Sequence, residues 1–144
     1  MPKAFFTPDE QSRIVAAIRE AELRTSGEIQ VHLEPQCKGE VLDRAADVFA
    51  KLKMHRTERR NGVLFYLATE THCFAILGDK GINRVVPGTF WDAIKDQLTA
   101  DFKAGDFAGG LIRAIGTAGE QLRSHFPRQA DDVNELPDDI SFGK

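Results

Sequence analysis

The chain is short of several things, and each shortage excludes something. Its 144 residues hold two cysteines, Cys37 and Cys73, which form no CxxC pair. A disulfide framework is therefore excluded as the source of stability. No run of 18 apolar residues occurs, which excludes a helical membrane span and makes membrane insertion unexpected. Charge of one sign is lacking too: 19 basic against 22 acidic residues leave a net charge of −3. That balance sets up no field to draw nucleic acid or acidic lipid, so no nucleic acid is expected among its partners. The start, Met1-Pro2-Lys3-Ala4-Phe5-Phe6, lacks the long apolar region of a signal peptide. The expectation is a cytoplasmic chain with both thiols reduced.

What is present is a globular composition, 42% hydrophobic and 28% charged, in a chain long enough to bury one core. Residues 60–81 organise it. Two short apolar runs, Val63 to Ala68 and Cys73 to Leu77, flank the polar link Thr69-Glu70-Thr71-His72. Each run is too short for an ordinary helix and rich in β-branched and aromatic residues, and the link has the length of a hairpin loop. The spacing predicts a β-hairpin. Its first strand shows no polar alternation, so both of its faces should be covered.

The flanking segments complete the fold. Thr7-Pro8-Asp9-Glu10 has capping-box spacing ahead of a helix carrying Ile14, Ala17, Ile18 and Ala21, with Gly27 as a left-handed cap. Glu28 to Glu34 alternates strictly, placing Ile29, Val31 and Leu33 on one face of a half-buried strand. Residues 39–53 read as a helix buried along Leu42, Ala45, Phe49 and Leu52. Strand, helix and strand then make a βαβ unit with parallel strands. Phe90 to Phe102 predicts a third helix, and Asp106 caps a fourth carrying Leu111, Ile112, Ile115 and Leu122. Glycines within that fourth helix, Gly119 among them, point to close packing. The expected class is α/β: a three-layer α/β/α sandwich whose small mixed sheet, a βαβ unit plus an antiparallel hairpin, is flanked by about four helices. A short fourth strand has no evident place.

The domain is expected to span 1–126. Residues 127–144 carry Asp131, Asp132, Glu135, Asp138 and Asp139, and read as a flexible acidic tail whose removal leaves the fold intact. The competing reading docks it through Val133, Leu136, Ile140 and Phe142.

Three motifs stand in order: Thr25-Ser26-Gly27-Glu28-Ile29, Arg60-Asn61-Gly62-Val63-Leu64 and Ile76-Leu77-Gly78-Asp79-Lys80-Gly81-Ile82. With Phe102 and Gly105-Asp106-Phe107-Ala108-Gly109-Gly110-Leu111, they resemble the TPM domain family over roughly residues 7 to 125. That family includes thylakoid-lumen proteins of photosystem II repair and many bacterial proteins. The resemblance implies a mixed sheet between helices. It also implies two activities attributed to members, acid phosphatase in a plant protein and calcium binding in others.

Topology should bring the three motifs to one sheet edge. Glu28, Asn61 and Asp79 are the candidate oxygen ligands there for a hard cation, calcium first. Against this, calcium takes about six to eight ligands, and glycine and asparagine also make plain turns. His32, Cys37, His72 and Cys73 near the opposite edge have zinc-like chemistry but no finger spacing. A buried Cys73 and a half-exposed His32 are expected instead. No CxxxxxR, DxDx[TV] or RHG signature occurs, so phosphoester cleavage would need a metal to activate water. Lys51, Lys53, His55, Arg56, Arg59 and Arg60 form a basic run, either solvated or facing an acidic partner. The function expected is a non-catalytic interaction domain with a protein partner, carrying a weak calcium site; the alternative is a metal-dependent acid phosphatase-like enzyme. No catalytic residue is assigned.

Overall fold

The computed structural model describes residues 5–57, 59–128 and 140–143. In chain order the elements are α1 (Pro8–Glu22), β1 (Glu28–Glu34), α2 (Val41–Lys51), a 3-10 turn (Met54–Arg56), β2 (Gly62–Ala68) and β3 (Cys73–Gly78). The single-turn α3 (Lys80–Asn83), α4 (Thr89–Lys103), α5 (Phe107–His125) and β4 (Ile140–Phe142) follow.

Local chemistry sets the helix starts. The Thr7 hydroxyl accepts from the Glu10 N–H at 3.1 Å, and the Glu10 carboxylate accepts from the Thr7 N–H at 2.9 Å. These two bonds satisfy donors that a helix start leaves open. Asp106 does the same for α5, accepting from the Gly109 N–H at 3.2 Å. Helix α1 ends in right-handed backbone at Leu23, so the reading of Gly27 as a left-handed cap is corrected. Gly27 has another reason: a Cβ there would stand 2.8 Å from Leu122 Cδ2 of α5.

The sheet runs β3-β2-β1-β4. Strands β1 and β2 are parallel and β3 returns antiparallel to β2, so the mixed sheet and the βαβ unit stand as expected. Helices α1, α4 and α5 pack on one face, while α2 and Met54 pack on the other. The three-layer architecture is therefore as the sequence predicts, with α3 added to the expected helices. On β2, Val63, Phe65 and Leu67 enter the larger core and Leu64, Tyr66 and Ala68 the smaller. A Cβ on Gly119 would stand 2.8 Å from Ala21 Cβ, so glycine there lets α5 close on α1. On α2 the buried residues are Ala45 and Val48, whereas Leu42, expected in the stripe, is 50% exposed.

Two expectations are corrected together. Strand β1 is not half-buried: all seven of its residues are buried. Its alternate face, Glu28, Gln30, His32 and Glu34, is polar yet buried, with Glu34 held by Arg44 of α2 and His32 by Ser141 of β4. Nor is the whole C-terminal stretch a solvated tail. Ile140–Phe142 pairs parallel with Val31–Leu33, and the Gly143 N–H donates to the Leu33 carbonyl at 2.6 Å. The physical reason is an open strand edge: β1 presents backbone donors and acceptors there, and Ile140 joins the larger core. Beyond the reach of β4, the Ile29 N–H donates to the Glu22 carboxylate at 2.7 Å. The domain thus includes β4 beyond residue 126. Val133, Leu136 and the acidic residues from Asp131 to Asp139 lie outside the described residues.

Removing residues 140–144 should therefore destabilise the protein, against the expectation from sequence. The loss should be about 2–4 kcal/mol, the order of one buried aliphatic side chain plus a few backbone hydrogen bonds. Urea denaturation of the truncated and full chains measures it.

Candidate functional site

The three motifs do meet. Glu28 opens β1 opposite Gly62 of β2, and the Asp79 N–H donates to the Gly62 carbonyl at 2.9 Å. Gly81 lies so close beneath the Arg59 and Arg60 carbonyls that a Cβ would collide with both oxygens. Its N–H donates to the Arg60 carbonyl at 2.8 Å.

Asp79 is buried, and both of its oxygens are engaged. Arg60 reaches it through Nε to Oδ2 at 2.7 Å and Nη2 to Oδ1 at 3.0 Å. Oδ1 also accepts from the Lys80 N–H at 2.7 Å and so caps α3. The bond to Asp79 raises the Arg60 pKa above its ordinary value. Arg60 itself sits in left-handed backbone at φ 52°. The Asn61 amide donates through Nδ2 to Ser26 Oγ at 3.3 Å, while its Oδ1 is buried with no hydrogen-bond partner. Glu28 is buried beside it in the register. A cation at this edge would find one open acceptor in Asn61 and would compete with Arg60 for Asp79. The sequence reading placed Arg60 in the basic run and missed its role as the partner of Asp79.

A second cluster, not assembled from sequence, sits at the other end of β1. Glu34 accepts from Arg44 Nε and Nη2, each at 2.8 Å, and from the Tyr66 hydroxyl. His32 Nε2 lies 3.2 Å from Glu34 Oε1, and His32 Nδ1 lies 2.9 Å from Ser141 Oγ on β4. Burial pushes the Glu34 carboxyl up, but hydrogen bonds from Arg44, Tyr66 and His32 outweigh it and bring its pKa to about 2. Burial lowers the His32 pKa, against the pull of Glu34. Burial and the Glu34 bond together raise that of Tyr66. His32 is 6% exposed, not half-exposed as expected, because β4 covers it. Cys37 and Cys73 are both free and half-buried, which corrects the expectation of a buried Cys73. Among the described residues no three His, Cys, Asp or Glu side chains group as metal ligands. The signal for the Glu34 cluster was the polar face of β1, since a βαβ crossover covers the sheet above it.

A family model of the TPM domain matches residues 2–121. The chain belongs to the TPM domain family. Among solved structures, this TPM chain is similar to the BA42 protein of the psychrophilic bacterium Bizionia argentinensis, with 50% identity over 96% of each chain and a TM-score of 0.90. It also resembles the N-terminal domain of the cg2496 protein of Corynebacterium glutamicum, with a TM-score of 0.66. That match covers 90% of this chain and 81% of the other at 15% identity, and shows the fold alone. No match was found among curated proteins. Among the described residues of the TPM chain, no helix is long and apolar enough to cross a membrane.

The Glu34 cluster makes stability depend on pH with a defined sign. Glu34 has an ordinary value of 4.5 and a folded value of about 2, so its contribution is present above pH 4.5 and lost as pH falls through about 2. His32, with a pKa lowered from 6.5, likewise stabilises above pH 6.5 and loses that contribution on acidification. Unfolding free energy should decline below pH 6.5 and continue to fall below pH 4.5. Urea titrations across this range check it, and Glu34→Gln should flatten the acid limb. Arg44→Ala, which leaves the buried carboxylate without its main cation, should cost on the order of 3 kcal/mol.

Proposed function

We propose that this TPM domain is a non-catalytic interaction module whose basic shoulder takes an acidic segment of a protein partner. The observation that carries the reading is the free charge on that shoulder. Lys51, Lys53, Arg56 and Arg59 are all exposed around the end of α2 and the 3-10 turn. None of them pairs with a described carboxylate. Arg60, by contrast, is spent on Asp79 and drops out of the run. Two buried carboxylates are already engaged, Asp79 by Arg60 and Glu34 by Arg44. Two free thiols suit a reducing compartment such as the cytoplasm.

Poly-L-glutamate serves as the acidic probe. Titrated into isotope-labelled protein at low salt, it should shift amide resonances over residues 51–60. High salt should abolish the shifts by screening. The double variant Lys53→Glu/Arg56→Glu should lose them without a change in melting temperature. Shifts centred elsewhere, or retained in the variant, would sink the proposal.

A second reading rests on Asn61 Oδ1, a buried acceptor without a hydrogen-bond partner beside Glu28 and Asp79. Calcium seeks such oxygens, and three side chains would hold it weakly, at about 10⁻⁴–10⁻³ M. Because Arg60 competes for Asp79, Arg60→Gln should tighten calcium binding while Asp79→Ala abolishes it, as calorimetry would show. Equal affinity in all three proteins rejects the site. Aryl phosphate hydrolysis with the metal should not exceed buffer. Turnover above about 1 s⁻¹ that vanishes in Asp79→Ala would instead establish the metal-dependent phosphatase.

A further inference from the structure

A cavity of about 290 Å³ opens beyond the carboxyl end of β2, between the β2–β3 turn, the end of α4 and the start of α5. Its walls are rings. Phe5 and Phe107 meet edge-to-face at 5.1 Å, Phe102 and Phe107 at 5.3 Å, and Phe74 and Phe102 edge-to-face at 5.4 Å. All four phenylalanines pack on the larger core, yet each keeps part of its ring uncovered. Such rings bind a flat apolar partner through the offset and edge-on contacts they already make with one another. The volume is at the lower end for small-molecule sites, about 300 Å³ and upward, and so suits one or two fused rings.

The rim supplies charge of one sign. Lys103 stands exposed at the mouth, with no ion pair to a described carboxylate, and no Asp or Glu lines the cavity. His72 also reaches it, from left-handed backbone at φ 62° in the hairpin turn. Non-glycine residues persist in that region only where the surroundings hold them, and they gather at functional sites. The position is the one that sheet geometry favours, since ligands of open α/β sheets bind beyond the carboxyl ends of the parallel strands.

We infer that this cavity binds a small aromatic carboxylate, its rings among the four phenylalanines and its anionic end at Lys103. The inference is independent of the basic shoulder and of the Glu28, Asn61 and Asp79 edge, which lies at the opposite end of β2. The probe is 2-naphthoate, with 2-naphthylmethanol as its neutral counterpart, titrated into isotope-labelled full-length protein. Saturable amide shifts should be confined to Phe5, residues 67–74 and residues 99–107, and the alcohol should bind at least tenfold more weakly. Lys103→Glu should weaken 2-naphthoate by at least tenfold, and Thr99→Trp, placed to fill the mouth, should abolish its binding. Both substitutions fall on exposed positions of α4, so melting temperatures should stay at the wild-type value. Absent or scattered shifts, or wild-type affinity in Lys103→Glu, would overturn the assignment.

Discussion

Burying the Glu34 carboxylate is tolerable because donors reach it from three elements: Arg44 on α2, Tyr66 on β2 and His32 on β1 itself. An unpaired charge at that depth would be unfavourable by several kcal/mol. Arg44 and Tyr66 therefore tie α2 and β2 to β1. Arg44 helps set the rotation of α2, which turns Ala45 and Val48 inward and leaves Leu42 outside. His32 uses its second ring nitrogen for Ser141, so the same node locates β4. Gly143 follows from this packing, since a Cβ there would stand 2.8 Å from Glu34 Cβ.

The family motifs acquire a physical meaning at the other end of the strands. Arg60-Asn61-Gly62 and Gly78-Asp79-Lys80-Gly81 hold one another: an ion pair joins Arg60 to Asp79, and the missing Cβ of Gly81 lets two backbones touch. The carboxylate that reads as a ligand is thereby also the cap of α3 and the counter-charge of a strand-entry arginine. The acid expected from sequence to be a ligand is already held by Arg60.

Much of the fold was legible because its signals are local. The Thr7 capping box, the Asp106 cap, the unbroken apolar run of β2 and the hairpin at Thr69 to His72 all rest on neighbours within a few residues. That the three motifs share one end of the sheet was legible from strand direction alone. What escaped depends on distant partners. Alternation marks which residues of β1 share a face, but not whether that face meets water, and β4 arrives from about a hundred residues away. Arg60 looked like one of a row of cations because its partner lies 19 positions on. The aromatic cavity draws on Phe5, Phe74, Phe102 and Phe107, four residues from four different segments.

The bond from the Ile29 N–H to the Glu22 carboxylate has a consequence for how molecules of this protein meet one another. A strand edge is a template on which another chain can crystallise its own backbone, copy after copy. Here β4 occupies the carboxyl half of that template, and the Glu22 side chain at the end of α1 occupies part of the remainder. An incoming strand would have to strip the Glu22 side chain from its backbone donor and leave a buried polar group without that bond. The fold thus leaves that flank only the three-residue β4 as its edge, with an acid beyond it, and so short an edge gives an incoming strand little to pair with.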